Sequence, residues 1–282
     1  MLRFHDCFSV TAVFLLVIGL LGVESLAASV DSVTTNRWSR VWHSPQLISG
    51  FDFRDRWEEL GVRWNAYYLY YFGSLLSGGR DAPTHRGSMS LDVIGRVDFE
   101  RLAGWRGLSF LTHLKSTYGE NINPKTGALS QPIDDADYTE WFWVDQVWLQ
   151  QSLLNRRVQL QLGYLDQQTV LDRNAYANSE DKQFMAQFLD NNNAIIPLQV
   201  GLGATLYLLP TDSLDFSIGF ADADNRTRHV GFDTFFDGAD SLIGFFQTGI
   251  KVQVGQLPGH YRFGAYPKPA VHRQPGRVRC NR

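Results

Sequence analysis

The sequence predicts an all-β protein: an antiparallel up-and-down outer-membrane β-barrel with a short helix at its start. Three observations predict it: an export signal, repeated period-2 alternation of apolar and polar residues, and connections that alternate in length. The 282 residues are 20% charged and 13% aromatic, with a formal net charge of −3, and mean hydropathy is −0.20. A charge balance so close to neutral gives no reason to expect nucleic acid as a partner. The two cysteines, Cys7 and Cys280, stand at opposite ends, which excludes a disulfide framework or a cysteine-based zinc site.

Residues 1–28 read as a secretory signal, with Arg3 as its positive start and residues 8–23 as its apolar stretch. Ser25, Leu26 and Ala27 form a small-x-small cleavage site. Beyond residue 28 no window is long and apolar enough for a membrane-crossing helix, so any further crossing must use strands. Residues 29–52 lack periodicity and read as an N-terminal periplasmic segment. A short helix is expected over residues 53–60, stopped by Gly61.

Strand patterns follow. In residues 91–100, Leu91, Val93, Val97 and Phe99 alternate with Asp92, Arg96, Asp98 and Glu100. In residues 107–117, Leu108, Phe110 and Leu114 face away from His113 and Lys115. Residues 157–164 set Val158, Leu160 and Leu162 against Gln159 and Gln161. Similar alternation marks residues 198–208, 214–220 and 245–254, the last opposing Ile250, Val252 and Val254 to Lys251 and Gln253. Residues 62–72 and 140–153 also read as strands, but they are too aromatic for their faces to be assigned. A ninth strand begins at Gly259.

The connections span residues 73–86, 101–106, 118–139, 154–155, 167–197, 209–213, 222–244 and 255–259, long and short in turn. Short periplasmic turns and long extracellular loops give a barrel that asymmetry, whereas the Greek-key connections of a β-sandwich do not. The longest, residues 167–197, is expected to carry a short helix and to fold into the pore as a constriction. Phe184 and Phe188 would pack or plug that loop. The aspartates of residues 222–240 miss the calcium-loop spacing, and no zincin, P-loop or nucleophile-elbow motif occurs. No metal, cofactor or enzymatic activity is therefore expected, and no catalytic residue is named.

Several runs resemble the carbohydrate-selective porins of the OprB type. They are Arg56-Trp57-Glu58-Glu59-Leu60-Gly61-Val62, Ser77-Gly78-Gly79, and Asp98-Phe99-Glu100-Arg101-Leu102-Ala103-Gly104-Trp105-Arg106-Gly107. Leu162-Gly163-Tyr164, Gly231-Phe232-Asp233-Thr234-Phe235-Phe236 and the run from Leu257 to Tyr266 complete the set. The resemblance covers residues 50–266. It implies a barrel of about sixteen strands that passes sugars by diffusion, of which residues 53–266 would form the first half, a partial porin barrel.

By alternation, Asp92, Arg96, Asp98, His113, Lys115, Gln159, Gln161, Lys251, Gln253 and Arg262 share the polar face. They are the candidate pore-lining residues, and the resemblance makes them candidate sugar contacts. A wall of structural Arg–Asp pairs is the plainer role for each. Tyr67, Tyr68, Tyr70, Tyr71, Trp141 and Trp143 suit an interfacial girdle. The expected partners are carbohydrate solutes, outer-membrane lipid and the barrel-assembly machinery; trimers are common among porins, so a homotrimer is one option. Residues 267–282 form a basic, proline-rich tail without alternation, which reads as aberrant and suggests a chain cut short. A half barrel with open edges would not be expected to conduct. The alternative function is a secreted soluble β-sandwich that binds sugar.

Overall fold

Period-2 alternation is realised as one antiparallel sheet of nine strands in sequential order. The structure, a computed structural model, describes residues 52–136, 140–171, 183–190, 200–222 and 242–266. The expected signal, most of the N-terminal segment, the acidic loop and the basic tail lie outside the described residues. Helix α1 (Asp52–Glu59) leads into β1 (Val62–Leu75) and β2 (Thr84–Asp98), followed by the one-turn α2 (Phe99–Ala103). Then come β3 (Leu108–Gly119), α3 (Asn123–Thr126), β4 (Glu140–Leu153), β5 (Val158–Asp166), α4 (Gln168–Leu171) and α5 (Gln187–Asp190). Strands β6 (Val200–Leu208), β7 (Leu214–Asp222), β8 (Leu242–Val254) and β9 (Leu257–Ala265) complete the meander. Every strand pairs with its sequence neighbours, so the second sheet and Greek-key return of a β-sandwich are absent among the described residues.

Strand β2 corrects two expectations. It begins at Thr84 rather than Leu91, because Thr84 to Ser90 pair with Leu75 to Leu69 although they carry no apolar alternation. The first loop shrinks to residues 76–83 and is no longer than the turn over residues 99–107, so the alternation of lengths holds only from the second pair onward. The strand also ends at Asp98. Its carboxylate caps α2 by accepting from the amides of Glu100 and Arg101, which removes Phe99 and Glu100 from the strand.

The sheet is inside out relative to a soluble protein. Tyr68, Tyr70, Phe72, Leu91, Leu149, Leu162, Ile218, Phe220, Phe246 and Ile250 are exposed on one face. On the other face Ser88, Ser90, Asp92, Thr117, Thr205, Ser217 and Gln247 are buried. An apolar band this large suits a face turned to lipid. The registers also assign faces to the aromatic first strand: Tyr67 opposes Asp92 and Tyr71 opposes Ser88, so both point to the polar side, whereas Tyr68 and Tyr70 point outward. Trp143 pairs with Lys115 on the polar side and leaves the expected girdle, and the Trp141 side chain lies outside the described residues.

Two small apolar clusters sit on the polar face, under the long connections. Ile122, Ile133 and Ala136 of the β3–β4 loop pack on Tyr71, and Val170 of α4 packs on Ala221, Ile243 and Phe245. Gly73 permits the first contact, since an added Cβ would lie 2.5 Å from Ile122 Cγ2. No helix among the described residues is long and apolar enough to cross a membrane.

The two faces predict opposite responses to charge. Leu162→Arg near the middle of β5 is expected to destabilise the vesicle-folded protein by roughly 2–4 kcal/mol, with little effect from Gln161→Arg. Urea unfolding from lipid vesicles measures both, and equal losses would mean that the faces are misassigned.

Candidate functional site

The registers place all ten predicted candidates on the polar face. Asp92 opposes Lys115, Arg96 opposes Leu111, Gln161 opposes Gln150, and Lys251 opposes His260 next to Arg262. They do not form one site. Eight of them fall into three groups along the wall, Arg96 and Asp98 line a cavity at one end, and several are occupied by protein partners.

The first group lies on β2, β3 and β4. Asp92, only 2% exposed, accepts from Ser90 Oγ at 2.6 Å and faces His113 Nε2 at 2.7 Å. His113 Nδ1 meets Asp145 Oδ2 at 3.0 Å, so the ring bridges two carboxylates. Asp145 reaches it because the β3–β4 register shifts between His113 and Leu114. Strict alternation from Gln146 would send Asp145 outward into lipid, and the bulge turns it inward. No sequence signal marked this bulge, and Asp145 was not among the predicted residues.

Lys115 ion-pairs with Asp135, which also accepts from Tyr71 Oη at 3.2 Å. Asp135 belongs to the β3–β4 loop, so this pair pins the loop to the inner wall. The loop is held by its own asparagines as well: Asn121 Nδ2 donates to the carbonyls of Asp135 and Ala136, and Asn123 Nδ2 donates to that of Ile133 at 2.6 Å. Its far side is clipped to the first loop by Lys125 Nζ on Asp81 Oδ2 at 2.9 Å. The hydrogen bond and charge of Lys125 hold the Asp81 carboxyl below its ordinary value. That exposed clip therefore stabilises above the carboxylate range and is lost as pH falls through it.

The long β5–β6 loop, expected to narrow the pore, meets the β3–β4 loop. The Asp134 amide donates to the Met185 carbonyl at 2.8 Å, and the Gln187 amide donates to that of Gln131 at 3.0 Å. The β3–β4 loop and the β5–β6 loop are thus zipped together, and both lie on the inner wall. Phe184 and Phe188 are 44% and 71% exposed, and the buried apolar anchors of the loops among the described residues are Ile122, Ile133 and Val170. The expected helix over residues 179–189 is described only as the four-residue α5, Gln187–Asp190. At the other end of the same loop, Thr205 Oγ1 donates to the fully buried Gln167 at 2.8 Å.

The second group is an amide ladder. Gln161 Nε2 donates to Gln150 Oε1 at 2.9 Å while its Oε1 accepts from Tyr207, and Gln159 donates to the Arg156 carbonyl. The third group runs across β7 and β9. Arg262 Nη2 donates to His260 Nδ1 at 2.8 Å, and His260 Nε2 in turn faces Asp215 Oδ1 at 2.8 Å. Lys251 and Gln253 are exposed beside it.

Asp98 and Arg96 line a cavity of about 990 Å³ at the end of the sheet that carries the short turns. Arg63, Trp148, Gln150 and Gln159 share it. Arg63 was missed because the face of β1 was not legible, and Trp148 because both faces of β4 carry aromatics.

Asp135→Ala removes the closest of the carboxylate partners of Lys115 and leaves Asp92 at 4.0 Å. The expected loss is about 3 kcal/mol in urea unfolding, as for a broken buried pair, together with faster tryptic cleavage after Lys125. An unchanged cleavage rate would show that Asp135 does not hold the loop.

A family model described as carbohydrate-selective porin, OprB family, matches residues 84–277. No match was found among the curated proteins. Among solved structures, the chain is similar to the high-pH structure of Pseudomonas putida OprB, with a TM-score of 0.62 and 16% identity, covering 76% of this chain and 54% of that one. The low-pH structure of the same protein gives a TM-score of 0.50 at 14% identity, with 85% and 62% covered. At such identity the likeness shows the fold, and the chain spans little more than half the length of those porins. With the family model matching well over half of its residues, the chain belongs to the carbohydrate-selective porin, OprB family.

Proposed function

We propose that this protein forms the wall of an outer-membrane porin through which mono- and oligosaccharides diffuse without any chemical step. The observation that carries this reading is the inverted sheet, apolar and exposed outside, polar and covered inside, with two long loops folded onto the polar wall. Sugar hydroxyls need donors and acceptors in matched pairs, and the amide ladder of Gln150, Gln159 and Gln161 supplies both kinds. Such contacts must stay weak, because a channel that binds tightly does not conduct. Partners in this reading are carbohydrate solutes, outer-membrane lipid and the machinery that inserts barrels.

Cell fractionation should recover the protein with outer membrane and only in detergent; recovery from the periplasm without detergent would sink the reading. In liposomes, swelling in neutral sugars should exceed swelling in organic ions of equal size, and equal rates would remove sugar selectivity. Arg96→Ala is expected to alter conductance or sugar block, since Arg96 opens into the cavity.

A further inference from the structure

Two unfavourable features meet in the short-turn cavity. Arg63 and Arg96 are directly opposed across β1 and β2, on the same inner face. Like charges placed so are destabilising, and no ion pair or hydrogen bond of either guanidinium is found among the described residues. The β4–β5 turn adds the second feature. Leu154, Asn155 and Arg156 all adopt left-handed backbone, at φ 50°, 53° and 66°. Outside glycine and asparagine that conformation is costly, and such strain concentrates where a side chain has work to do. Here it sets Arg156 at the edge of the same cavity.

The cavity is strongly basic. Five arginines line it against two carboxylates, Asp98 and Glu100. Both acids are engaged: Asp98 caps α2 and lies 3.8 Å from Arg101, and Glu100 accepts from the Gly107 amide at 3.2 Å. The excess positive charge has no described protein counterion. Lipid phosphate does not supply one to Arg63 and Arg96, because their side of the sheet is opposite the apolar face.

A ring platform stands beside the charge. Arg96 opposes Leu111, and Leu111 opposes Trp148, so the indole lies two strands from Arg96, roughly 10 Å at ordinary strand spacing. That is the scale of a monosaccharide. Next to Trp148 is Gly163, where an added Cβ would fall 2.7 Å from the Trp148 Cα. The glycine therefore leaves the far side of the indole without a neighbouring side chain in its row.

We propose that the short-turn end of the inner wall holds a subsite for an acidic monosaccharide, with Arg63 and Arg96 clamping its carboxylate or phosphate and Trp148 stacking on its ring. Guanidinium forks match both anions bidentately. The basic mouth also raises the local anion concentration, an effect that salt screens. The subsite deepens the porin reading by naming a substrate class, and it rests on that reading only for transport, not for binding.

The test uses the full chain folded in detergent, titrated at low ionic strength with glucuronate, glucose 6-phosphate and glucose while tryptophan fluorescence is followed. At least one anion should give a midpoint about tenfold or more below that of glucose, and added salt should raise it. The stronger anion identifies the group, carboxylate or phosphate. Trp148→Phe should remove the fluorescence response. The Arg63→Ala/Arg96→Ala variant should bring the anion and glucose midpoints together, without a lower urea midpoint, since a repulsive pair has been removed. Arg156→Ala, in an exposed turn, should weaken the anion response as well. Equal wild-type midpoints for anions and glucose, or an undiminished preference in the double variant, overturns the subsite. Liposomes that swell in glucose while the titration shows no anion preference retain the porin and lose the subsite. Anion binding in detergent without any swelling does the reverse.

Discussion

Lipid offers no hydrogen bonds, and the continuous ladder of backbone pairs is what the rest of this structure depends on. From Val62 on Val97 to Phe246 on Ala265, consecutive strands pair antiparallel, with register shifts between β3 and β4. Once the ladder is formed, alternation divides the side chains into a lipid face and an inner face. A helix could not present such long faces of opposite character. The nine-strand meander leaves β1 and β9 running in the same direction, so its two outer edges do not match each other as an antiparallel pair.

Moving the apolar surface outward changes what holds the inside together. Among the described residues there is no large core; two small apolar clusters anchor loops, and charge pairs add further positioning. The pair of Lys115 with Asp135 links the wall to the β3–β4 loop, and that loop carries the β5–β6 loop with it through backbone hydrogen bonds. The two loops are therefore tied to each other and to the inner wall. At the short-turn end the wall carries Arg63 and Arg96, for which no ion pair is found among the described residues.

Most of the wall was legible because period 2 is a local property. Gln159, Gln161, Lys251 and Gln253 were placed on one face from their immediate neighbours, and the registers agree. Legibility failed where that local signal vanished. The first residues of β2 are Thr, His, Arg, Gly and Ser, and pairing with β1 makes them strand without any alternation. Tyr67, Tyr68, Tyr70 and Tyr71 look alike in sequence, yet register sends two inward and two outward. The bulge at Asp145 shifts the phase within one strand, which a periodic reading averages away.

The sequence by itself determined the all-β class, the meander, the polar membership of ten wall residues and the family resemblance that the family model bears out. Only the tertiary structure decided which polar residues are spent on each other and which remain open. Asp92 and Lys115 proved to be occupied, Asp98 proved to be a helix cap, and Arg63 joined Arg96 in an open cavity. The physical reason is that a residue's face is fixed by its neighbours along the chain. Its partner is fixed by residues brought across the sheet or folded back from a loop, whose positions no local periodicity encodes.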